Sequence, residues 1–208
     1  MSHAPVYLDY HATTPVDRRV VEAMVPFFTE TFGNPASSSH AWGWKAQEAV
    51  EVARRQVARL IGATAREVVF TSGATESNNF AVHGVAMRAP ADRRHVVVSA
   101  IEHKAVLESA ARLAAAGWRV STAPVHADGR LDLDALDRLV TSETALVSVI
   151  AANNEVGVIQ SLADVAAIAH RSGALVHSDA AQAVGKIPVD VEAMGVDLLS
   201  LTAHKTYG

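Results

Sequence analysis

Apolar residues recur along this chain with two different spacings. Val20, Val21, Met24 and Phe27 return at helical spacing. Ala46, Ala49, Val50, Ala53, Val57 and Leu60 do the same over a second segment, from Trp42 to Leu60, that Gly62 closes. Between these two helices Gly33-Asn34-Pro35 breaks the chain, followed by the polar run Ser37-Ser38-Ser39-His40. Ahead of them Val6 to Tyr10 reads as extended and His11 to Pro15 as the turn that ends it, with Pro15 suited to the first turn of a helix. From residue 68 onward, short apolar runs predict strands at Val68-Val69-Phe70, His95 to Ser99, Val120 to Val125, Leu146 to Ile150, Leu175 to Asp179 and Leu198 to Thr202. Helical stretches separate them: after Gly73, from Lys104 to Ala116 with Gly117 as the stop, from Leu133 to Val140, and from Ser161, with Asp164 at the capping-box position, to Gly173.

Strands that are apolar throughout need cover on both faces, and their alternation with helices favours parallel pairing. The expected fold class is α/β: a three-layer, mostly parallel sheet with helices on both faces. No repeat, low-complexity tract or linker interrupts the pattern. Residues 1–208 are therefore expected to form one domain, with 1–15 as an N-terminal arm.

Composition narrows the function classes. Half the residues are hydrophobic, enough for one sizeable core. A net charge of -4 gives no reason to expect a nucleic-acid or anionic-membrane partner. The 208 residues contain no cysteine, which removes disulfides, thiolate metal sites and a cysteine nucleophile from within them. Met1 to Tyr10 lacks the basic and apolar segments of a leader, and Ala145 to Ala152 is too short to span a bilayer, so a cytoplasmic protein is expected. The ten histidines form no metal-binding helix motif and are expected to be solvated or satisfied in the core.

In open α/β sheets ligands bind beyond the carboxyl ends of the strands, so the residues just after each strand carry the candidate chemistry. Thr71 to Asn78, with Gly73 and several hydroxyls, can present N–H groups to a phosphate at a helix start, or can simply cap the helix through Thr75 and Asn78. His103 can stack on a flat cofactor and move protons, or serve as a helix cap. Asn153-Asn154 can bond a ring oxygen or a substrate carboxylate, or only form a turn. Asp179, at the tip of an apolar strand, would be desolvated and need a cationic partner; a pyridinium N–H supplies one, with Gln182 placed to bond the ring's phenolic oxygen. The alternative is again a helix cap. Lys205 follows the last apolar strand, where desolvation favours a neutral amine able to form a Schiff base with a carbonyl. Alone it reads more readily as a surface lysine just past a strand.

Taken together, Tyr7-Leu8-Asp9-Tyr10 with Ala12-Thr13-Thr14-Pro15, Phe32 to Ser37, Thr71 to Asn78, Glu102 to Leu107, Asn153 to Gly157 and His204-Lys205 resemble the motifs of the NifS-like cysteine desulfurases. These belong to the class V aminotransferases, enzymes of fold type I that use pyridoxal 5'-phosphate. The resemblance runs from Val6 to Gly208, in the family's order. One departure is visible: Thr202-Ala203 stands where many members have Ser-Gly, keeping the hydroxyl and a small residue.

The resemblance implies that Lys205 bonds the cofactor covalently and that Asp179 pairs with its ring nitrogen. It implies that His103 stacks on the ring and assists proton transfer, that Gln182 touches the ring oxygen, and that Ala74, Thr75, Thr202 and His204 hold the phosphate. Asn154 would lie against the cofactor or substrate carboxylate, with Asn34 and His40 near the mouth. L-Cysteine would be converted to alanine, with sulfur passed through a cysteine persulfide to a sulfur acceptor or iron–sulfur scaffold protein; a homodimer is implied as well. Members of the family continue well beyond this length into a small C-terminal domain that carries the sulfur-accepting cysteine. The chain is accordingly expected to be the large domain, truncated before the small one, and inactive alone. Selenocysteine lyase, an aminotransferase of the same class, or an inactive cofactor-binding module are the alternatives.

Overall fold

The computed structural model describes residues 5–208; residues 1–4, which open the expected arm and the stretch read for a leader, lie outside the described residues. The chain forms two compact units. One runs to Val69 and takes in Ala203–Gly208, and the other is Phe70–Thr202.

The first unit holds α1 (Arg18–Thr29), α2 (Ala41–Leu60) and two short 3-10 turns, Ala65–Glu67 and Ala203–Lys205. Asp17 caps α1: its Oδ1 accepts the Arg19 N–H at 2.8 Å, so Pro15 lies ahead of the helix rather than in its first turn. The break expected at residues 33–35 is present, and Gly33 is required there, since a Cβ would fall 2.2 Å from the Trp42 carbonyl oxygen. Residues 68–70 do not form the expected strand. The Val68 N–H closes the Ala65–Glu67 turn and its carbonyl accepts from the Arg54 guanidinium, leaving neither group for a ladder.

The second unit is a five-stranded sheet in the order β2-β1-β3-β4-β5, parallel at every pairing. The strands are β1 (His95–Ser99), β2 (Arg119–Ala123), β3 (Thr144–Ser148), β4 (Leu175–Asp179) and β5 (Leu198–Ser200). The helices are α3 (Ala74–Arg88), α4 (Lys104–Ala115), α5 (Leu133–Leu139), α6 (Leu162–Arg171) and the single turn α7 (Val191–Met194). All five residues of β1 and of β3 are buried, which requires cover on both faces. On one face Val96 and Val98 of β1 pack with Val82 and Val85 of α3 and with Val106, Ala110 and Leu113 of α4. The remaining helices α5 and α6 pack on β2 and β4 respectively and on each other.

β3 begins two residues earlier than its apolar run suggests, because Thr144 joins the ladder beside His95. Beyond it Val149 and Ala151 still donate N–H groups to His177 and Asp179 of β4. The last strand stops at Ser200, leaving Leu201 and Thr202 outside it. The buried histidines are satisfied within the core: His95 by Thr144 and Ser121, each at 2.9 Å, and His177 by Ser148 at 2.8 Å and Ser200 at 3.1 Å.

Candidate functional site

The expected site residues divide between the units. Ala74, Thr75, His103, Asn154, Asp179, Gln182 and Thr202 lie in the second; Asn34, His40, His204 and Lys205 lie in the first.

In the second unit, parallel pairing brings the carboxyl ends of β1, β3, β4 and β5 to one edge, and hydrogen bonds lace them together. Asp179 ends β4 and is only 3% exposed. Its Oδ2 accepts from Asn78 Nδ2 at 2.7 Å and its Oδ1 from the Ala181 N–H at 3.0 Å. Asn78 therefore does not serve with Thr75 as a cap: α3 is capped by Gly73, and Asn78 projects from its second turn into the core. Gly73 has φ +150°, a conformation that side chains rarely adopt, and a Cβ there would meet open space. The N–H groups of the turn behind it, from Ala74 and Thr75, are among those a helix leaves without internal partners. Ser77 donates to Ser200 at 2.8 Å, joining the same helix to the end of β5.

The β1–α4 turn carries Glu102 and His103. His103 caps α4, its Nδ1 accepting the Ala105 N–H at 3.1 Å, so in the neutral ring the proton sits on Nε2. It is exposed, while Glu102 beside it is buried. Glu102 Oε1 accepts from the Ser99 hydroxyl and the Ile150 N–H, both at 2.5 Å. Burial, reinforced by the nearby Asp179 charge and only partly offset by these hydrogen bonds, pushes the Glu102 carboxyl up to about 8. Asn153 pins the neighbouring turn, donating to the Ile101 carbonyl at 2.9 Å and accepting from the Glu155 and Val156 N–H groups. Its neighbour Asn154 is half-buried in that turn. Gln182 is buried just past Asp179, and its Oε1 accepts from Lys186 Nζ. Thr202 is half-buried two residues past β5.

In the first unit Lys205 closes the 3-10 turn Ala203–Lys205 and is half-buried. That turn is bound to the start of the chain by Thr14. Its hydroxyl donates to the His204 carbonyl at 2.9 Å and accepts the Tyr207 N–H at 2.9 Å. The Thr14 N–H also donates to the His204 carbonyl, at 2.9 Å, and Thr13 Oγ1 lies 3.1 Å from His204 Nδ1. Asn34 and His40 have local roles: Asn34 Oδ1 accepts the Ala36 N–H at 2.9 Å, and His40 Nδ1 caps α2 through the Gly43 N–H at 3.2 Å.

Sequence reasoning gives Thr14 and Glu102 no role of their own and offers Asn78 only as a helix cap. A threonine in a turn, an asparagine at a helix start and a glutamate beside a histidine all have surface explanations, and only burial distinguishes them.

The profile of the family described as "Aminotransferase class-V" matches residues 6–208. A cysteine desulfurase IscS of Anaeromyxobacter sp. (strain K) is 55% identical over 204 residues, 98% of this chain and 50% of the relative. A mitochondrial cysteine desulfurase of Drosophila melanogaster is 51% identical over 98% of this chain and 44% of its own length. Among solved structures, a NifS-like protein superposes with a TM-score of 0.94 at 44% identity, over 98% of this chain and 56% of that one. SspA in complex with cysteine gives a TM-score of 0.92 at 37% identity, over 97% and 58%. The chain thus spans about half the length of the curated relatives it matches.

Proposed function

This chain belongs to the class-V aminotransferase family, and from that membership we propose that it is the cofactor-binding part of a pyridoxal 5'-phosphate-dependent cysteine desulfurase. The observation that carries the reading is Asp179, a buried carboxyl at the end of a central parallel strand with donors on both oxygens. A buried carboxylate calls for a cationic partner, and a protonated pyridine ring is one. The buried Asn78 Oδ1, which has no hydrogen-bond partner among the described residues, and the open backbone at Gly73 add to the fit with this cofactor.

When bound, the cofactor supplies an electron sink for the bonds at the substrate's α-carbon. Asp179 would keep the ring nitrogen protonated, and Gln182 would bond the ring's phenolic oxygen. Ala74 and Thr75 at the start of α3, with Thr202 and His204, would hold the phosphate. His103, with Nδ1 committed to Ala105, would carry a proton at Nε2. Lys205 would supply the amine that bonds the cofactor. Asn154, Asn34 and His40 would orient the substrate.

L-Cysteine as substrate is supported by the names of the desulfurase relatives and by the cysteine bound to SspA. The thiolate that takes the sulfur would come from outside these cysteine-free 208 residues. Homodimerisation, a sulfur-acceptor or iron–sulfur scaffold partner and a cytoplasmic setting rest on the family resemblance; among the described residues no helix is long and apolar enough to cross a membrane.

Spectral titration with pyridoxal phosphate tests the reading. The chain should develop the visible absorption of lysine-bound cofactor, and Lys205→Ala should not. A band unchanged in Lys205→Ala overturns the assignment.

A further inference from the structure

Glu102 lies directly before His103, and its carboxyl is treated very differently at its two oxygens. Oε1 takes two short hydrogen bonds, from the Ser99 hydroxyl at the end of β1 and from the Ile150 N–H just past β3. Oε2 is also buried and has no hydrogen-bond partner among the described residues. An ionised carboxylate shares its charge between both oxygens, and a dry oxygen without a donor leaves half that charge unsolvated. A neutral acid lowers this cost, because it carries its proton on the oxygen without donors and leaves one unpaired O–H there in place of an unsolvated charge. Asp179 lies close enough for its charge to disfavour a second anion at Glu102. Asp179 itself has donors on both oxygens, the arrangement an anion needs.

We propose that Glu102 is a positioning residue: held as a neutral acid, it clamps the end of β1 to the chain just past β3, fixes the turn that presents His103, and spares Asp179 a second negative charge beside it. The clamp stands on the geometry of the second unit; its bearing on cofactor binding rests on the function proposed above. The side chain acts through what it holds in place and through the charge it does not carry.

Two variants and two readouts test it. In the cofactor-free protein at pH 7, the infrared difference between wild type and Glu102→Gln should contain the carbonyl stretch of a protonated carboxyl. Glu102→Gln keeps an acceptor for Ser99 and Ile150 and stays neutral, so its dissociation constant for pyridoxal phosphate should remain within about twofold of wild type. Glu102→Ala strands both donors and should weaken binding about tenfold, as expected for a lost buried acceptor. Absence of the protonated-carboxyl band overturns the proposal. So does a Glu102→Gln variant that is folded by circular dichroism yet binds as poorly as Glu102→Ala. If Glu102→Ala does not fold, the band and Glu102→Gln still decide. A wild-type chain that binds no cofactor counts against the proposed function, and the infrared band then decides the clamp alone.

Discussion

Asn78 Nδ2 donates to Asp179 Oδ2 across 2.7 Å, although 101 residues separate the two along the chain. Both side chains are buried, and the second carboxylate oxygen is held by the Ala181 N–H, so the carboxyl plane has one orientation. Removing the amide leaves a buried charged acceptor short of a donor, which costs on the order of 1–3 kcal/mol. Asn78→Ala should therefore lower the unfolding free energy by an amount in that range, read as a lower urea midpoint, and weaken pyridoxal phosphate binding about tenfold. A variant as stable as wild type that binds the cofactor equally well would show that Asn78 does not orient the carboxyl.

Asp179→Asn tests the same pair from the other side. It removes the charge that a protonated ring needs while keeping shape, and should weaken cofactor binding about a hundredfold, in line with breaking a buried ion pair. Because the two residues share one hydrogen bond, the combined Asn78→Ala/Asp179→Asn variant should lose less than the two singles added together. A double-mutant cycle on cofactor affinity measures this directly, and strict additivity would contradict the contact.

Three buried groups set an unusual pH dependence of stability. Burial pushes His95 and His177 down to about 4 from an unfolded value of 6.5, so the unfolded chain binds more protons between these limits. Their contribution to stability is present above pH 6.5 and is lost as pH falls toward 4. Glu102 works in the opposite sense. With its carboxyl up at about 8 against 4.5 unfolded, the folded chain holds the extra proton, and stability is lost as pH rises from 4.5 to 8. Up to pH 6.5 the two histidines outweigh the single glutamate; beyond it only the glutamate is left. Urea unfolding across this range should show greatest stability near pH 6.5, and Glu102→Gln should abolish the decline toward pH 8. A curve rising steadily from pH 6.5 to 8 would show that Glu102 is ionised in the folded protein.

The sheet was legible because its chemistry is one-dimensional. In His95 to Ser99 every residue is buried, and three consecutive valines announce that directly; in Leu175 to Asp179 the four residues after the exposed Leu175 are buried. Val68-Val69-Phe70 has the same composition but the wrong neighbours. Its first backbone groups are consumed by a 3-10 turn and by Arg54, which no local pattern announces. In the candidate site, the placement of Asp179 and His103 at or just past strand ends was legible in the sequence. Asn78 and Glu102 were not, because a helix start and a strand-to-helix turn ordinarily face water. Their burial comes from parallel pairing of segments far apart in the chain, as the Glu102 contacts to Ser99 and, 48 residues on, to Ile150 show.

Thr14 poses the same problem at the lysine. One buried hydroxyl donates to the His204 carbonyl and accepts the Tyr207 N–H, so it spans the turn in which Lys205 sits. Tyr207 there adopts φ 62°, a left-handed conformation that is costly for a non-glycine residue and persists only where its surroundings hold it. Thr14→Val keeps the volume and removes both hydrogen bonds of the hydroxyl. It should destabilise the turn by about 1–3 kcal/mol, read as a lower urea midpoint, and slow the appearance of the lysine-bound cofactor band. Thr14→Ser restores the hydroxyl without the methyl group and should recover most of both. Recovery in the serine variant assigns the effect to the hydroxyl; serine and valine variants that fail alike would assign it to packing of the methyl group and refute the hydrogen-bonded tether.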